Sequence, residues 1–164
     1  MRNVTALALC GALAILGSRA AAAEIRITFV GAAHYTDANL HNGYGEASRA
    51  PAMREIEQTL DRLGQRYLRQ GQTLSIEVLD IDLAGRFEPW HTLAYDVRFM
   101  RDITWPRIKL RYRLTENGQP ARAGEENISD QTYLMHARAR ATGEIMPYEK
   151  AMLESWFRQR FAEH

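Results

Sequence analysis

The sequence predicts an α+β domain in which amphipathic helices pack on one face of a mainly antiparallel sheet. Three observations support this fold class. Apolar residues alternate with polar ones in several extended segments, and one long segment instead repeats its apolar residues every three or four positions. An Asn-Gly pair also separates two extended segments, as in a β-hairpin. No linker divides the chain after residue 23, so we expect one domain.

Residues 1–23 have the features of a signal peptide. Arg2 precedes an apolar stretch, and a run of alanines ends in a small-residue cleavage site before Glu24. The apolar stretch is too short to span a bilayer, and no stop-transfer segment follows it. We therefore expect a single exported domain of residues 24–164, periplasmic or secreted, with no integral membrane segment after cleavage.

Export changes both the thiol content and the charge. Cleavage removes Cys10, the only cysteine, so the mature chain is cysteine-free and must rely on its core for stability. Loss of Arg2 and Arg19 leaves 19 basic against 20 acidic residues, a net charge of −1. This balance argues against a bulk electrostatic grip on nucleic acid, and we expect no nucleic-acid partner.

The first half of the domain predicts a strand, a long loop and a helix. Residues 25–29 alternate as a strand, whereas residues 31–50 have no apolar period and predict a long loop. Pro51 suits the first turn of a helix whose apolar stripe covers residues 53–67. Gly71 would end this helix.

The next segment predicts two strands. Residues 74–83 are extended, but their apolar phase switches near Leu79-Asp80, which predicts a bulge or burial of both faces. Residues 95–99 predict a further short strand.

A hairpin is predicted after Pro106. Residues 108–114 alternate as a half-buried strand with a strongly basic outer face, formed by Lys109, Arg111 and Arg113. Asn117-Gly118 predicts the turn, and residues 120–128 should return antiparallel. Glu125 and Glu126 on the returning strand could then pair with the arginines.

Two helices complete the prediction. Ser129 or Asp130 can cap a short helix containing Tyr133 and Leu134. Pro147 would open the last helix, whose broad apolar face should dock on the sheet.

Several short motifs carry a resemblance to a known family. They are Asp80-x-Asp82 with Leu83-Ala84-Gly85, Glu88-Pro89-Trp90, Asp96-Val97-Arg98, Arg101-Asp102-Ile103, Trp105-Pro106-Arg107-Ile108, Gly124-Glu125, Ser129-Asp130 with Tyr133-Leu134, and Tyr148-Glu149-Lys150 with Met152-Leu153 and Trp156-Phe157. In this combination the chain resembles the domain of unknown function 3016 family of secreted proteobacterial proteins, over about residues 25–158. The resemblance implies a signal peptide and a single exported domain. It implies no activity and no catalytic residues.

Asp80 and Asp82 form the clearest candidate for chemistry. A D-x-D pair on a strand places both carboxylates on one face, where they could bind a divalent cation or divide acid and base roles. The alternative, which we favour, is a strand-end pair neutralised by arginines such as Arg98 or Arg101. His34, Asp37 and His41 match no metal-binding spacing and are interpreted as polar loop residues.

Trp90 and Trp105 stand beside prolines at rigid bends. Exposed, they would form a stacking or peptide-binding platform, whereas buried they would be corners of the core, which is the interpretation we favour.

Two hypotheses follow from the sequence. The first is a small envelope binding or interaction module that uses Lys109, Arg111, Arg113 and the Trp-Pro corners to bind an envelope protein or small ligand. The second is a metal-dependent enzyme or metal-binding protein centred on Asp80 and Asp82. The first needs fewer coincidences, and no nucleophile motif or phosphate-binding glycine loop supports an enzyme.

Overall fold

The computed structural model describes residues 22–136 and 143–162. Most of the predicted signal peptide, including Cys10, therefore lies outside the described residues. In chain order the elements are β1 (Glu24–Phe29), α1 (Glu46–Tyr67), β2 (Gln72–Asp82), β3 (Arg86–Phe87), β4 (Arg98–Phe99), β5 (Arg107–Glu116), β6 (Gln119–Ser129) and α2 (Pro147–Phe161). Short 3₁₀ turns lie at Ala32–His34, Thr92–Ala94 and Tyr133–Met135. Within these ranges, no helix combines the length and apolarity needed to cross a membrane.

The four long strands form one sheet in the order β1-β2-β5-β6. β1 is parallel to β2 because α1 connects them, whereas β5 is antiparallel to both of its neighbours. β3 and β4 form a separate two-stranded antiparallel pair. The predicted α+β class is therefore confirmed, with a mainly antiparallel sheet.

The predicted bulge lies in β2. Its pairing with β5 shifts register between Val78 and Asp80, which leaves Leu79 as the extra residue. Before the bulge the even-numbered side chains face the core, and after it Ile81 is fully buried. The shift explains the change of apolar phase in the sequence.

Both helices contribute to one core on the inner face of the sheet. Fully buried side chains of β2 and β5, such as Ile76 and Leu110, belong to the same cluster as Leu60 of α1 and Phe157 of α2. The opposite face of the sheet carries charged side chains and is open to solvent. Because burial of apolar area contributes about 25 cal/mol per Å², this cluster supplies the main stabilisation of a chain without disulfides in its described part.

An aromatic contact fixes α2 against the sheet. Trp156 meets the ring of Tyr112 edge to face, with 5.8 Å between centroids. Tyr112 pairs across the strands with Gly124, where an added Cβ would lie 3.0 Å from the tyrosine ring. Gly124 therefore leaves the space that the Tyr112 ring occupies.

Helix α1 differs from its predicted boundaries. It begins at Glu46 instead of Pro51, and it ends at Tyr67, before Gly71. Residues 46–50 have no apolar period, because Glu46 and Ala47 are exposed and none of the five side chains is fully buried. Pro51 leaves one carbonyl without its helical partner, and the exposed position of Ala47 allows water to replace that hydrogen bond.

Two further predictions need correction. The strand expected over residues 95–99 consists only of Arg98–Phe99, because residues 94–97 form a turn. The short helix after Asp130 is a single 3₁₀ turn, Tyr133–Met135. The hairpin at Asn117-Gly118 and the helix beginning at Pro147 are confirmed.

Candidate interaction site

The segment after β1 lies against the end of β2. The Asp37 amide donates to the Ile81 carbonyl at 2.8 Å, and the Leu83 amide donates to the Asp37 carbonyl at 2.9 Å. The Tyr35 hydroxyl also donates to the Val78 carbonyl, and burial raises the pKa of Tyr35 to about 12. This pairing brings Asp37 beside Asp82 at the end of the sheet.

The two predicted aspartates have different partners. The Asp80 carboxylate accepts hydrogen bonds from the Thr36 amide and hydroxyl, each at 2.7 Å. The buried Asp82 carboxylate instead pairs with Arg107 and, at 2.7 Å, with Arg86. Arginines therefore neutralise Asp82 as the favoured interpretation expected, although they are not the arginines that it named.

Residues 22–136 and 143–162 contain no group of three His, Cys, Asp or Glu side chains arranged to hold a metal ion. The pair Asp80 and Asp82 thus has no third ligand of these types there. A divalent-cation site at this pair stays a prediction from the sequence.

Arg98 is the centre of a buried network. Its guanidinium pairs with the Asp37 carboxylate at 2.8 Å, and its side chain is only 9% exposed. It also donates to the carbonyls of Ala84, Gly85 and Asn39 at 2.9–3.0 Å. Because so many acceptors surround one guanidinium, Arg98 fixes the backbone after β2 to strand β4.

Glu88 anchors the chain beyond β3. Its buried carboxylate pairs with Arg101 at 2.6 Å and lies 3.1 Å from Nε2 of His91. The His91 ring in turn stacks on Phe99, with 4.7 Å between centroids. These contacts tie the start of the segment after β3 to residues beyond β4.

A second, smaller core supports this end of the molecule. Tyr133 and Tyr148 meet edge to face at 4.8 Å and pack with Ala84, and the Tyr133 hydroxyl donates to the Arg101 carbonyl at 2.6 Å. Glu149, in the first turn of α2, accepts a 2.7 Å hydrogen bond from the Ala84 amide. Burial raises the pKa of Glu149.

The anchored residues hold a projecting loop, residues 88–97, which we call the apolar loop. The pairing of β3 with β4 closes its base. Trp90 is 70% exposed and Leu93 fully exposed, and Tyr95 and Val97 are also exposed. Exposed Met100 and Ile103 follow in the next turn. Of the ten large hydrophobic side chains exposed in the described ranges, six thus lie between residues 90 and 103.

Asn42 fixes the far side of the apolar loop. Its amide donates to the Asp96 carboxylate at 2.6 Å, and its side chain donates to the Tyr95 carbonyl at 2.7 Å. The apolar loop is therefore held at both ends and at one point near its tip.

The predicted tryptophan pair is divided between two environments. Trp90 is exposed on the apolar loop, so it is not a corner of the core. Trp105 is half-buried, where it packs against the small core and the Arg107 guanidinium lies 5.5 Å from its ring centroid. The two side chains therefore belong to different parts of this end of the molecule.

The basic strand face is largely neutralised. Lys109 pairs with Glu125 at 2.9 Å, and Arg111 pairs with both Glu125 and Glu77 at 2.8–2.9 Å. The hydrogen bonds from Lys109 and Arg111 lower the pKa of Glu125. Arg113 instead lies between Ser75 and Ala123 in the strand register. Carboxylates of the neighbouring strands therefore pair with two of the three predicted cations, Lys109 and Arg111, and the role of this face in binding stays a prediction.

Only one of the two predicted glutamate pairings occurs on this face. Glu125 pairs with Arg111 as expected, but Glu126 points to the helical face and pairs with Arg160 of α2. Trp156 also donates to Glu126 at 3.2 Å. The alternation of side chains along β6 separates these two neighbours.

The sequence did not reveal the apolar loop as a site. The alternation of Tyr95, Val97 and Phe99 indicated a strand instead, and only Trp90 stood out beside a proline. The signal that could have found it is the density of large apolar residues between Trp90 and Ile103.

Fold and site together define a small α+β domain with an anchored apolar loop at one end of its sheet. The chain matches the family model described as "Protein of unknown function (DUF3016)" over residues 23–159. It therefore belongs to this family, and the resemblance in its motifs is confirmed. No curated protein matches the chain significantly, and no solved structure does so either.

Proposed function

We propose that this protein is an exported interaction module of the cell envelope, and that the apolar loop is its binding surface. The observation that carries the proposal is the concentration of exposed apolar side chains at residues 90–103. Monomeric proteins rarely expose large contiguous apolar patches, and such patches mark interaction sites. Trp90 and Tyr95 add the aromatic types that are enriched at binding surfaces.

The anchoring of the loop supports the same proposal. Glu88 is buried and Arg98 is nearly buried, both are paired with opposite charges, and they fix both ends of the apolar loop. A preordered surface loses less conformational entropy on binding than a flexible one, which favours affinity. The arginines and carboxylates at this end of the sheet thus act as a support for the loop.

The proposal replaces the surface expected from the sequence. Lys109 and Arg111 are satisfied by Glu77 and Glu125, so they have little charge left to attract a partner. Trp90 remains in the proposed surface, whereas Trp105 contributes to its support.

Site-specific cross-linking in living cells tests the proposal. A photo-reactive amino acid replaces Leu93 in the full chain, and a matched variant carries it at Ala123, which is exposed on the outer face of the sheet. We expect a discrete adduct, to protein or lipid, from position 93 and none from position 123. Equal adducts from both positions, or none from position 93, would refute the proposal.

A further inference from the structure

We infer that the partner of the apolar loop is the surface of a lipid bilayer, into which the tip of the loop inserts. This inference rests on the proposed function and names its partner. Trp90 and Tyr95 are side chains of the kind that settle at the membrane–water interface, and Leu93 and Val97 are apolar enough to enter the acyl region. A fully exposed leucine at the tip of a projecting loop suits insertion.

Part of the backbone of the apolar loop is already hydrogen-bonded. The His91 amide donates to the Glu88 carbonyl, Ala94 donates to His91, and Val97 donates to Ala94, at 2.9–3.0 Å. The Tyr95 carbonyl accepts from the Asn42 side chain. An unpaired backbone group costs several kcal/mol in hydrocarbon, so this series of closed turns reduces the cost of insertion.

Charges at the base of the loop favour an anionic surface. Arg86, Arg101 and Arg107 are 39–51% exposed, whereas the carboxylates beneath them, Asp82 and Glu88, are 3–6% exposed. The guanidinium groups therefore face outward and their partners face inward. Such groups can contact lipid phosphates without losing their buried partners.

The same segment also carries acidic side chains. Asp96 and Asp102 are exposed, and Asp96 accepts from the Asn42 amide and lies 3.7 Å from His41. Because these charges offset part of the arginine contribution, we expect apolar insertion to provide most of the affinity. The anionic lipid should add a smaller, salt-sensitive part.

Cosedimentation of the purified protein with vesicles tests the inference. One set contains phosphatidylethanolamine and phosphatidylglycerol, and the other contains phosphatidylcholine alone. We expect binding to both, about fivefold tighter to the anionic set. Leu93→Asp should weaken binding at least about tenfold, because it removes an inserted apolar group and adds a charge.

Ala123→Asp is the matched control, since it adds the same charge on the outer face of the sheet. It should bind vesicles as the unsubstituted chain does. The melting temperatures of both variants should stay close to that of the unsubstituted chain, because both side chains are exposed.

The outcomes separate this inference from the proposed function. The bilayer is overturned as partner if the protein binds neither vesicle set. It is also overturned if Leu93→Asp binds vesicles as tightly as the unsubstituted chain does. If a protein adduct still forms from position 93 in cells, the apolar loop is a protein-binding surface and the proposed function survives. If position 93 also gives no adduct, both fail.

Discussion

Arg98 and Asp37 form a nearly buried ion pair where the end of β2 meets strand β4. Nη2 of Arg98 lies 2.8 Å from Oδ2 of Asp37, and the two side chains are 9% and 14% exposed. The same guanidinium bonds backbone carbonyls on two segments, and the Phe87 ring covers it at 4.9 Å. The residues come from distant parts of the sequence, so this pair joins the long segment after β1 to the base of the apolar loop.

Replacement of Arg98 should destabilise the fold strongly. Arg98→Met leaves the Asp37 carboxylate with only the longer ion pair to Arg86 at 3.2 Å and removes the side-chain donor of the Ala84 and Asn39 carbonyls. We expect a loss of about 3 kcal/mol in the free energy of unfolding. Arg98→Lys should recover little, because an ammonium cannot reproduce the planar set of donors. Urea denaturation measures both variants. The exposed pair of Arg26 with Glu24 supplies the control, since Arg26→Met should cost less than about 1 kcal/mol. Equal losses at the two positions would contradict the account.

Gly85 should not tolerate a side chain. It has a φ of +74°, and an added Cβ would lie 2.8 Å from the Phe99 carbonyl oxygen. Gly31 has a similar φ of +66° but nothing within 4 Å of the added Cβ. Gly31→Ala should therefore cost about 1–2 kcal/mol for backbone strain alone, and Gly85→Ala about 1–3 kcal/mol more for the clash. Urea denaturation of both variants gives the difference between their losses in the free energy of unfolding. Similar losses for the two variants would show that β4 moves to relieve the clash at little cost.

The buried carboxyl of Glu149 should make stability depend on pH. Burial raises its pKa in the folded state, so the folded protein binds more protons than the unfolded chain above the ordinary glutamate pKa. Well below the ordinary glutamate pKa, the carboxyl is protonated in both states and does not change the free energy of unfolding. As pH rises toward and through the raised folded-state pKa, the free energy of unfolding falls. Glu149→Gln removes the charge but keeps an oxygen for the Ala84 amide.

We therefore expect Glu149→Gln to melt above the unsubstituted chain at pH 8 and to lose this advantage near pH 4. Thermal denaturation across this range checks the sign. Exposed Glu154→Gln provides the matched control and should not change the pH dependence in this way. A variant that is less stable than the unsubstituted chain at pH 8 would mean that the ionised carboxylate is stabilising.

The charged face of the sheet should contribute little to stability. Arg111 and Glu125 are hydrogen-bonded but exposed, and exposed pairs are worth about 0.2–1 kcal/mol. A double-mutant cycle with Arg111→Ala and Glu125→Ala measures their coupling, which should fall as salt is added. Neither substitution should change vesicle binding. A coupling of several kcal/mol would contradict the small expected contribution to stability. Loss of vesicle binding would instead place this face in the binding site.

The sequence was informative where a local pattern determines the structure. The alternation at residues 108–114 and the turn at Asn117-Gly118 predicted the hairpin because each side chain's face follows from its position. The change of phase near Leu79 predicted the bulge for the same reason. The start of α1 was missed because residues 46–50 carry no apolar period and Pro51 indicated a first turn.

The candidate site depends on contacts that no local pattern encodes. The pairing of Arg98 with Asp37 spans 61 positions, so the sequence could suggest arginine partners for the aspartates but not choose them. Arg111 appeared to be part of a basic face because Glu77 lies on another strand, 34 positions away. The apolar loop was recognisable only once the rest of the apolar residues had been placed in the core.

Accessibility of a single thiol in the cell envelope tests the central claim most directly. In the full chain with Cys10→Ser, Leu93→Cys places one thiol at the tip of the apolar loop and Ala123→Cys places one on the outer face of the sheet. A water-soluble maleimide should label both readily in the purified protein. In the envelope we predict that labelling slows at position 93 and keeps its rate at position 123. Labelling at position 93 that is as fast in the envelope as in the purified protein would contradict the account.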